Sequence, residues 1–364
     1  MISRILLRIL LFTLIVYWSG SYNLLAQDTT NSISVEDTIS LDVALFDEDE
    51  PAVISLTYNV KEFLKNKNKD KYVKAKLVYQ INDTINISKE IRIKARGHNR
   101  RDVCPFPPLW INIRKANFNS SYFETTKKLK LVTYCARSQS NMNYVLKEFL
   151  VYRMYNIINP NSFKVRLVKV KYIDTGRKNK EYDSWGFFIE PEEMMAQRLN
   201  ASVIKRDNIS YQITDPRETD IMSVFQYIIG NADYSILSRQ NVKLIMLNDP
   251  PKNSIVPIPY DFDYSGFVDA AYAIPGGRLG IESVKERYFL GPCRPDDTYY
   301  QVFDYFFEKR EEIYQLLKSF EYLDERSKNT ALKYLDEVYL STINKSYLKN
   351  NFRRTCRETG LAKK

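Results

Sequence analysis

Apolar and polar positions alternate over Tyr72–Gln80 and again over Ile85–Ala95, with Asn82-Asp83 between the two runs. A period of two puts alternate side chains on opposite faces, so the two runs and the polar pair between them predict a β-hairpin. Val53–Tyr58, Leu109–Ile113 and Leu129–Tyr134 read as further strands, and Asn59–Lys67 as a helical turn. Over Asn141–Ile158 the period lengthens: Val145, Phe149, Tyr152 and Tyr155 recur at helical spacing. Lys164–Ile173 and Trp185–Ile189 return to strand character across a polar turn from Asp174 to Asp183.

After Glu190 the pattern changes. Pro191–Leu199 can open a helix with proline in its first turn, and Arg217–Ile229 reads as a helix ended by Gly230. Val242–Leu247 and Ile255–Ile258 are short strands, and from Asp296 onward the chain is mostly helical. The prediction is an α+β chain of two unequal lobes. Residues 51–190 form a β-rich lobe with one helix, and residues 191–364 form a helical lobe with a small β insert. Ahead of them, residues 1–26 read as a signal peptide: Arg4 and Arg8 precede an apolar run, Ile9–Trp18, and Leu24-Leu25-Ala26 ends at a cleavage point; a retained membrane anchor is the alternative, for which the run is short. Residues 27–50, acidic at Asp47-Glu48-Asp49-Glu50, read as a loosely attached leader. No later run is long and apolar enough for an integral membrane segment after cleavage, so an exported protein is expected, in the periplasm, on the cell surface or secreted.

Composition narrows the chemistry. The 364 residues are 44% hydrophobic and include 27 Tyr and 19 Phe, which excludes global disorder. Net charge is +10, and leaving out Arg4 and Arg8 makes it +8. A basic balance admits phosphates, anionic lipid or acidic glycans without choosing among them, and scattered charge fits a solvated basic surface. There is one histidine, His98, so His-pair metal sites and a Ser-His-Asp triad are excluded. Neither GxGxxG nor GxxxxGK[ST] occurs. The four cysteines, Cys104, Cys135, Cys293 and Cys356, suit disulfides in an oxidising compartment. Three pairings are open. The sequential one, Cys104 with Cys135 and Cys293 with Cys356, keeps each loop inside one half and is preferred. No CxxC spacing supports the rival zinc site.

The sharpest local signal is Asn231-Ala232-Asp233-Tyr234-Ser235, then Asn241, then Tyr260-Asp261-Phe262-Asp263. A helix end, a loop carrying Asp and Asn, a β pair and a further Asp bring oxygen ligands together, the kind that hard cations such as Mg2+ take. With Arg96-Gly97 upstream, these segments resemble the spore-coat-protein-H-like (CotH) atypical protein kinases. The resemblance spans Ile91–Phe267, and pieces around Cys104–Leu109, Lys128–Cys135 and Asp261 also resemble a family of uncharacterised exported bacterial proteins. The kinase resemblance implies a two-lobed protein-kinase-like fold and ATP with Mg2+ as cofactors. It implies Asp233 as the catalytic residue, and Asn241, Asp261 and Asp263 as metal ligands. It further implies that Lys130 contacts the nucleotide with Glu148 as its ion-pair partner, that Arg96 covers phosphates, and that Glu190 ends the segment meeting adenine. Two departures stand out: Asn241 follows Asp233 by eight residues rather than five, and no glycine-rich loop precedes Lys130.

The expected activity is phosphoryl transfer to a protein or glycan hydroxyl. A catalytically inactive binding or structural protein of the cell envelope is the alternative, since ATP is scarce outside the cytoplasm. A metal-assisted hydrolase using the same carboxylates is a third reading, and it would want more clustered ligands. Nucleic acid is not an expected partner.

Overall fold

A computed structural model describes residues 45–80, 82–84, 86–97, 99–113, 128–248, 254–277, 279–342 and 345–358. The signal-peptide expectation and His98 lie outside the described residues. The described residues belong to one compact unit, Ile39–Lys364.

Ten strands and nine helices are present among the described residues, most of them at the expected places. The hairpin is β2 (Val73–Gln80) against β3 (Asn86–Ala95), in the register Gln80↔Asn86. β1 (Ala52–Tyr58), β4 (Leu109–Asn112), β5 (Lys128–Thr133), β6 (Val165–Asp174) and β7 (Lys180–Ile189) complete a closed barrel in the order β1-β2-β3-β4-β5-β7-β6. A smaller three-stranded sheet joins β8 (Ala201–Ile204), β9 (Val242–Leu247) and β10 (Ile255–Pro259).

The helices in chain order are α1 (Val60–Asn66), α2 (Asn99–Val103), α3 (Gln139–Ile158), α4 (Glu192–Arg198), α5 (Pro216–Ile228), α6 (Asp296–Glu308), α7 (Arg310–Ser319), α8 (Glu325–Thr342) and α9 (Lys345–Phe352). Two caps explain where the main ones start: Ser138 accepts from the Asn141 amide at α3, and Asp215 accepts from the Glu218 amide at α5.

The two-lobed kinase-like arrangement is corrected by this topology. β6 pairs in parallel with β1 from Ala52↔Val168 to Tyr58↔Asp174, so the seven strands close on themselves with no free edge. The larger of two buried clusters among the described residues crosses the expected lobe boundary, from Leu56 and Ile93 in the barrel through Phe149 and Tyr152 on α3 to Phe306, Leu335 and Phe352 in the C-terminal helices, while a smaller one gathers Tyr211, Met222, Tyr234, Val242 and Leu244. α3 makes the crossing because it is buried around most of its circumference, Lys147 and Glu148 included.

β5 and β7 come close enough to leave no room for a side chain at Gly186, where an added Cβ would stand 2.7 Å from the Val132 carbonyl oxygen. The acidic leader is also corrected over its described part. Leu45 and Phe46 are buried in the core, and Asp47, Glu48 and Asp49 pair with Lys164, Arg166 and Arg153. The segment is docked there by apolar contact as well as by charge. Both disulfides form as expected, Cys104–Cys135 and Cys293–Cys356, and no helix among the described residues is long and apolar enough to cross a membrane.

Candidate functional site

Strand alternation sets the first half of the site. On β5, Leu129 and Leu131 share a face with Ile111 and Ile93, while Lys130 and Val132 take the other. α3 covers that second face, with Phe149 and Tyr152 packed on Phe187, the neighbour of Val132. Lys130 is therefore buried among rings: its Nζ lies 5.1 Å from the centroid of Tyr260, 5.7 Å from Trp110 and 5.8 Å from Phe163. Among the described residues no carboxylate stands within ion-pair distance of it. Burial pulls its amine down to about 7, helped by the charges of Arg96 and Lys243 and opposed by Glu192 and Asp261. Lys243 shares the Tyr260 ring at 5.2 Å, and the Arg96 guanidinium lies 5.7 Å from Trp110. Three cations thus surround one aromatic wall.

The second half is acidic and is set by α5 and the loop after β10. α5 ends at Gly230 with φ +65°, where a side chain would collide with the Tyr334 hydroxyl. The carbonyls of Ile229 and Gly230 accept from the amides of Phe267 and Gly266, which fastens the Asp233 loop to the Asp261 segment. Asn231, buried, turns the chain: its Oδ1 accepts from the Asp233 amide at 3.0 Å while its Nδ2 donates to Gln226. The Asp233 carboxylate then accepts from Gln240 Nε2 at 2.5 Å and Asn241 Nδ2 at 2.9 Å. Burial raises it to about 6, the Asp261 charge adds to the rise, and the bonds from Asn241 and Gln240 oppose it. Asp261, at φ +63°, donates its amide to the Tyr152 hydroxyl at 2.8 Å, so α3 holds this segment directly.

Glu148 does not pair with Lys130. Its Oε2 faces Arg100 Nη1 at 3.4 Å, and Arg100 Nε in turn lies 3.8 Å from Asp263. Arg100 comes from α2, just beyond the Arg96-Gly97 pair, and also donates to the Thr133 carbonyl. Burial and the nearby Asp263 charge push Glu148 up despite Arg100, and burial with the Asp261 charge pushes Asp263 up despite Arg100 and a Tyr272 hydrogen bond. One guanidinium serves two buried carboxyls. Glu190 is fully buried and committed elsewhere: its carboxylate takes Arg198 at 2.7 Å and the Lys164 amide at 3.0 Å, and its own amide donates to the Lys164 carbonyl.

Arg96, Lys130, Asp233, Asn241 and Asp261 are therefore gathered into one region, while Glu148 and Asp263 form an adjoining buried cluster. Sequence reasoning missed Lys243, Trp110, Tyr260 and the pairing of Arg100. Trp110 could have been found, since the predicted strands put it beside Lys130 once they pair. Lys243 could not, because nothing local ties β9 to β5.

Two cavities open beside Asp233, one of about 510 Å3 and one of about 200 Å3, both lined by Ala232, Asp233, Gly276 and Leu279. A polyphosphate fits the cationic half, because a buried lysine with no carboxylate at ion-pair distance would regain its charge on binding it, although Lys243 already pairs with Glu192 at 3.5 Å. For Mg2+, Asp261 and the Asn241 amide oxygen are suitable hard donors. Asp263 is not, being held by Arg100 and Tyr272. No group of three or more His, Cys, Asp and Glu side chains forms a metal-holding cluster among the described residues. No protein-family model and no curated protein matches this chain.

Proposed function

We propose that the region gathered around Lys130, Asp233 and Asp261 binds a nucleoside triphosphate with Mg2+ and transfers its γ-phosphoryl group to a hydroxyl. The observation that carries this reading is Lys130, a buried amine without a carboxylate at ion-pair distance, within electrostatic reach of the cations Arg96 and Lys243 and of the acids Glu192 and Asp261. Arg96, Lys130 and Lys243 would neutralise phosphate oxygens, and Asp261 with Asn241 would hold the Mg2+. The metal, when bound, supplies charge neutralisation between phosphates.

Asp233 does the proton chemistry. Its carboxylate is held by Gln240 and Asn241 and lines the cavities an acceptor can enter. The acceptor oxygen bonds to the γ-phosphorus, the bond from that phosphorus to the bridging oxygen breaks, and the nucleoside diphosphate leaves. The hydroxyl proton passes to Asp233. The order Asp233, Asn241, Asp261, which resembles that of the CotH-like kinases although Asn241 follows by eight residues rather than five, supports the same reading, on a barrel scaffold of different topology.

The test is thermal stabilisation of the purified protein by ATP and Mg2+, since a ligand selective for the native state raises Tm by mass action. Stabilisation should be lost in Asp261→Ala and retained in Asp233→Asn, which should still fail to transfer label from γ-labelled ATP. If neither ATP nor GTP shifts Tm, the reading falls. The reading that remains is then a non-catalytic envelope protein, favoured by the engagement of Asp263 and Glu148 with Arg100.

A further inference from the structure

The larger cavity has a wall that the proposed chemistry does not use. It is built by the C-terminal segment after α9, which carries Arg354, Thr355 and Arg357. That segment is fastened at several points: Cys356 is bonded to Cys293, the Arg357 amide donates to the Gly291 carbonyl at 2.9 Å, and the Cys293 amide donates to the Arg357 carbonyl at 3.1 Å. Arg353, next in line, is paired with Asp296 at 2.8 Å and does not line the cavity. Arg354 and Arg357 have no ion-pair partner among the described residues, and Asp233 is the one acidic residue of the described lining. Facing them, Ser235, Ser238 and Gln240 offer hydrogen bonds. Gly276 and Gly277 contribute a stretch where an added Cβ would meet nothing within 4 Å. Two guanidiniums without an ion-pair partner, lining one cavity on a segment fastened through its backbone and a disulfide, are fitted to carboxylates, which they bind in bidentate fashion. A side-chain-free stretch gives an extended main chain room to approach.

We propose that this cavity is the docking site for the acceptor, and that the acceptor is a peptide in which a serine or threonine is flanked by Asp or Glu. Carboxylates of the peptide engage Arg354 and Arg357 while the hydroxyl is delivered to Asp233. The proposal rests on the phosphotransfer reading for the fate of that hydroxyl, but the docking itself can be measured without nucleotide.

The experiment is fluorescence anisotropy of the full chain with a labelled peptide of alternating Ser and Glu, and with its Ser and Gln counterpart. The acidic peptide should bind, weaken as salt rises, and lose at least tenfold in affinity in the Arg354→Gln/Arg357→Gln double variant. Arg353→Gln should leave binding within about twofold, which controls for general surface charge. Equal binding of the two peptides, or an unaffected double variant, overturns the docking site. Tighter binding of an oligoglucuronate than of the acidic peptide overturns the assignment to a peptide. Stabilisation by ATP and Mg2+ with no peptide binding would sink the docking site alone. Peptide binding with no response to nucleotide would sink the phosphotransfer reading alone.

Discussion

Lys130 is costly to the fold, and the proposed site is what would use it. Its amine is desolvated without a partner, so Lys130→Met is expected to raise the stability of the ligand-free protein by about 1–3 kcal/mol in urea titration at pH 6. The same variant should lose stabilisation by ATP and Mg2+. The pH dependence has a definite sign. An amine lowered to about 7 in the fold binds fewer protons than in the unfolded chain, so its penalty is full below 7 and is relieved as pH rises toward its ordinary value. Nucleotide binding at pH 8 should then take up a proton, read as a dependence of the calorimetric enthalpy on buffer ionisation. Asp233 runs the other way. Raised to about 6, it must be ionised to accept a proton, so transfer activity should fall as pH drops through 6, while nucleotide binding persists. A rate that stays flat from pH 8 to pH 5 contradicts the role given to it.

Between elements, the deciding contact joins α2, α3 and the loop after β10. Arg100 stands between Glu148 and Asp263, both buried, and its removal leaves two carboxyls without their cation. Arg100→Met should cost about 3–5 kcal/mol at pH 7 by urea denaturation. The loss should shrink at pH 5, because both carboxyls are already raised and readily take protons. A cost independent of pH would mean that packing, not charge, is what Arg100 contributes. This cluster was half legible in the sequence. The Arg96–Arg101 run and Glu148 on a helix were both visible, yet the helix face of Glu148 and the path of α2 are set by packing, which local periodicity does not encode. Asp233 was easier to read, since a helix-ending glycine followed by Asn231 and Asp233 specifies the turn within four residues.

At the scale of the whole molecule, closure of the barrel and two cross-links hold distant segments in place. Cys104–Cys135 ties the end of α2 to the chain leaving β5, and Cys293–Cys356 ties the C-terminal segment, which walls the larger cavity, to the chain ahead of α6. With sequence separations of 31 and 63, each should contribute about 3–4 kcal/mol, measured as the loss of stability in Cys104→Ala/Cys135→Ala and in Cys293→Ala/Cys356→Ala. The docked acidic segment contributes through its apolar end. Phe46→Ala should cost about 3 kcal/mol by the same measurement, whereas Asp49→Asn, its carboxylate 85% exposed, should change stability by less than about 0.5 kcal/mol. A larger effect at Asp49 than at Phe46 would make charge the main anchor.

The sequence by itself determined the local elements, because hydrogen bonding along a helix and alternation along a strand depend on near neighbours: β2 and β3, α3 and α5 lie where the periods put them. It also singled out Asp233, Asn241 and Asp261, since an unusual cluster of acids and amides in loops is visible without coordinates. That β1 pairs with β6 across more than a hundred residues came from packing alone, and it replaced two lobes with a closed barrel whose core cluster runs on into the C-terminal helices. Only the tertiary structure assigned Arg100 to Glu148 and left Lys130 among aromatic rings. Ion pairing and burial are settled by which surfaces meet, and that choice is made by the sum of many weak long-range contacts, not by any segment on its own.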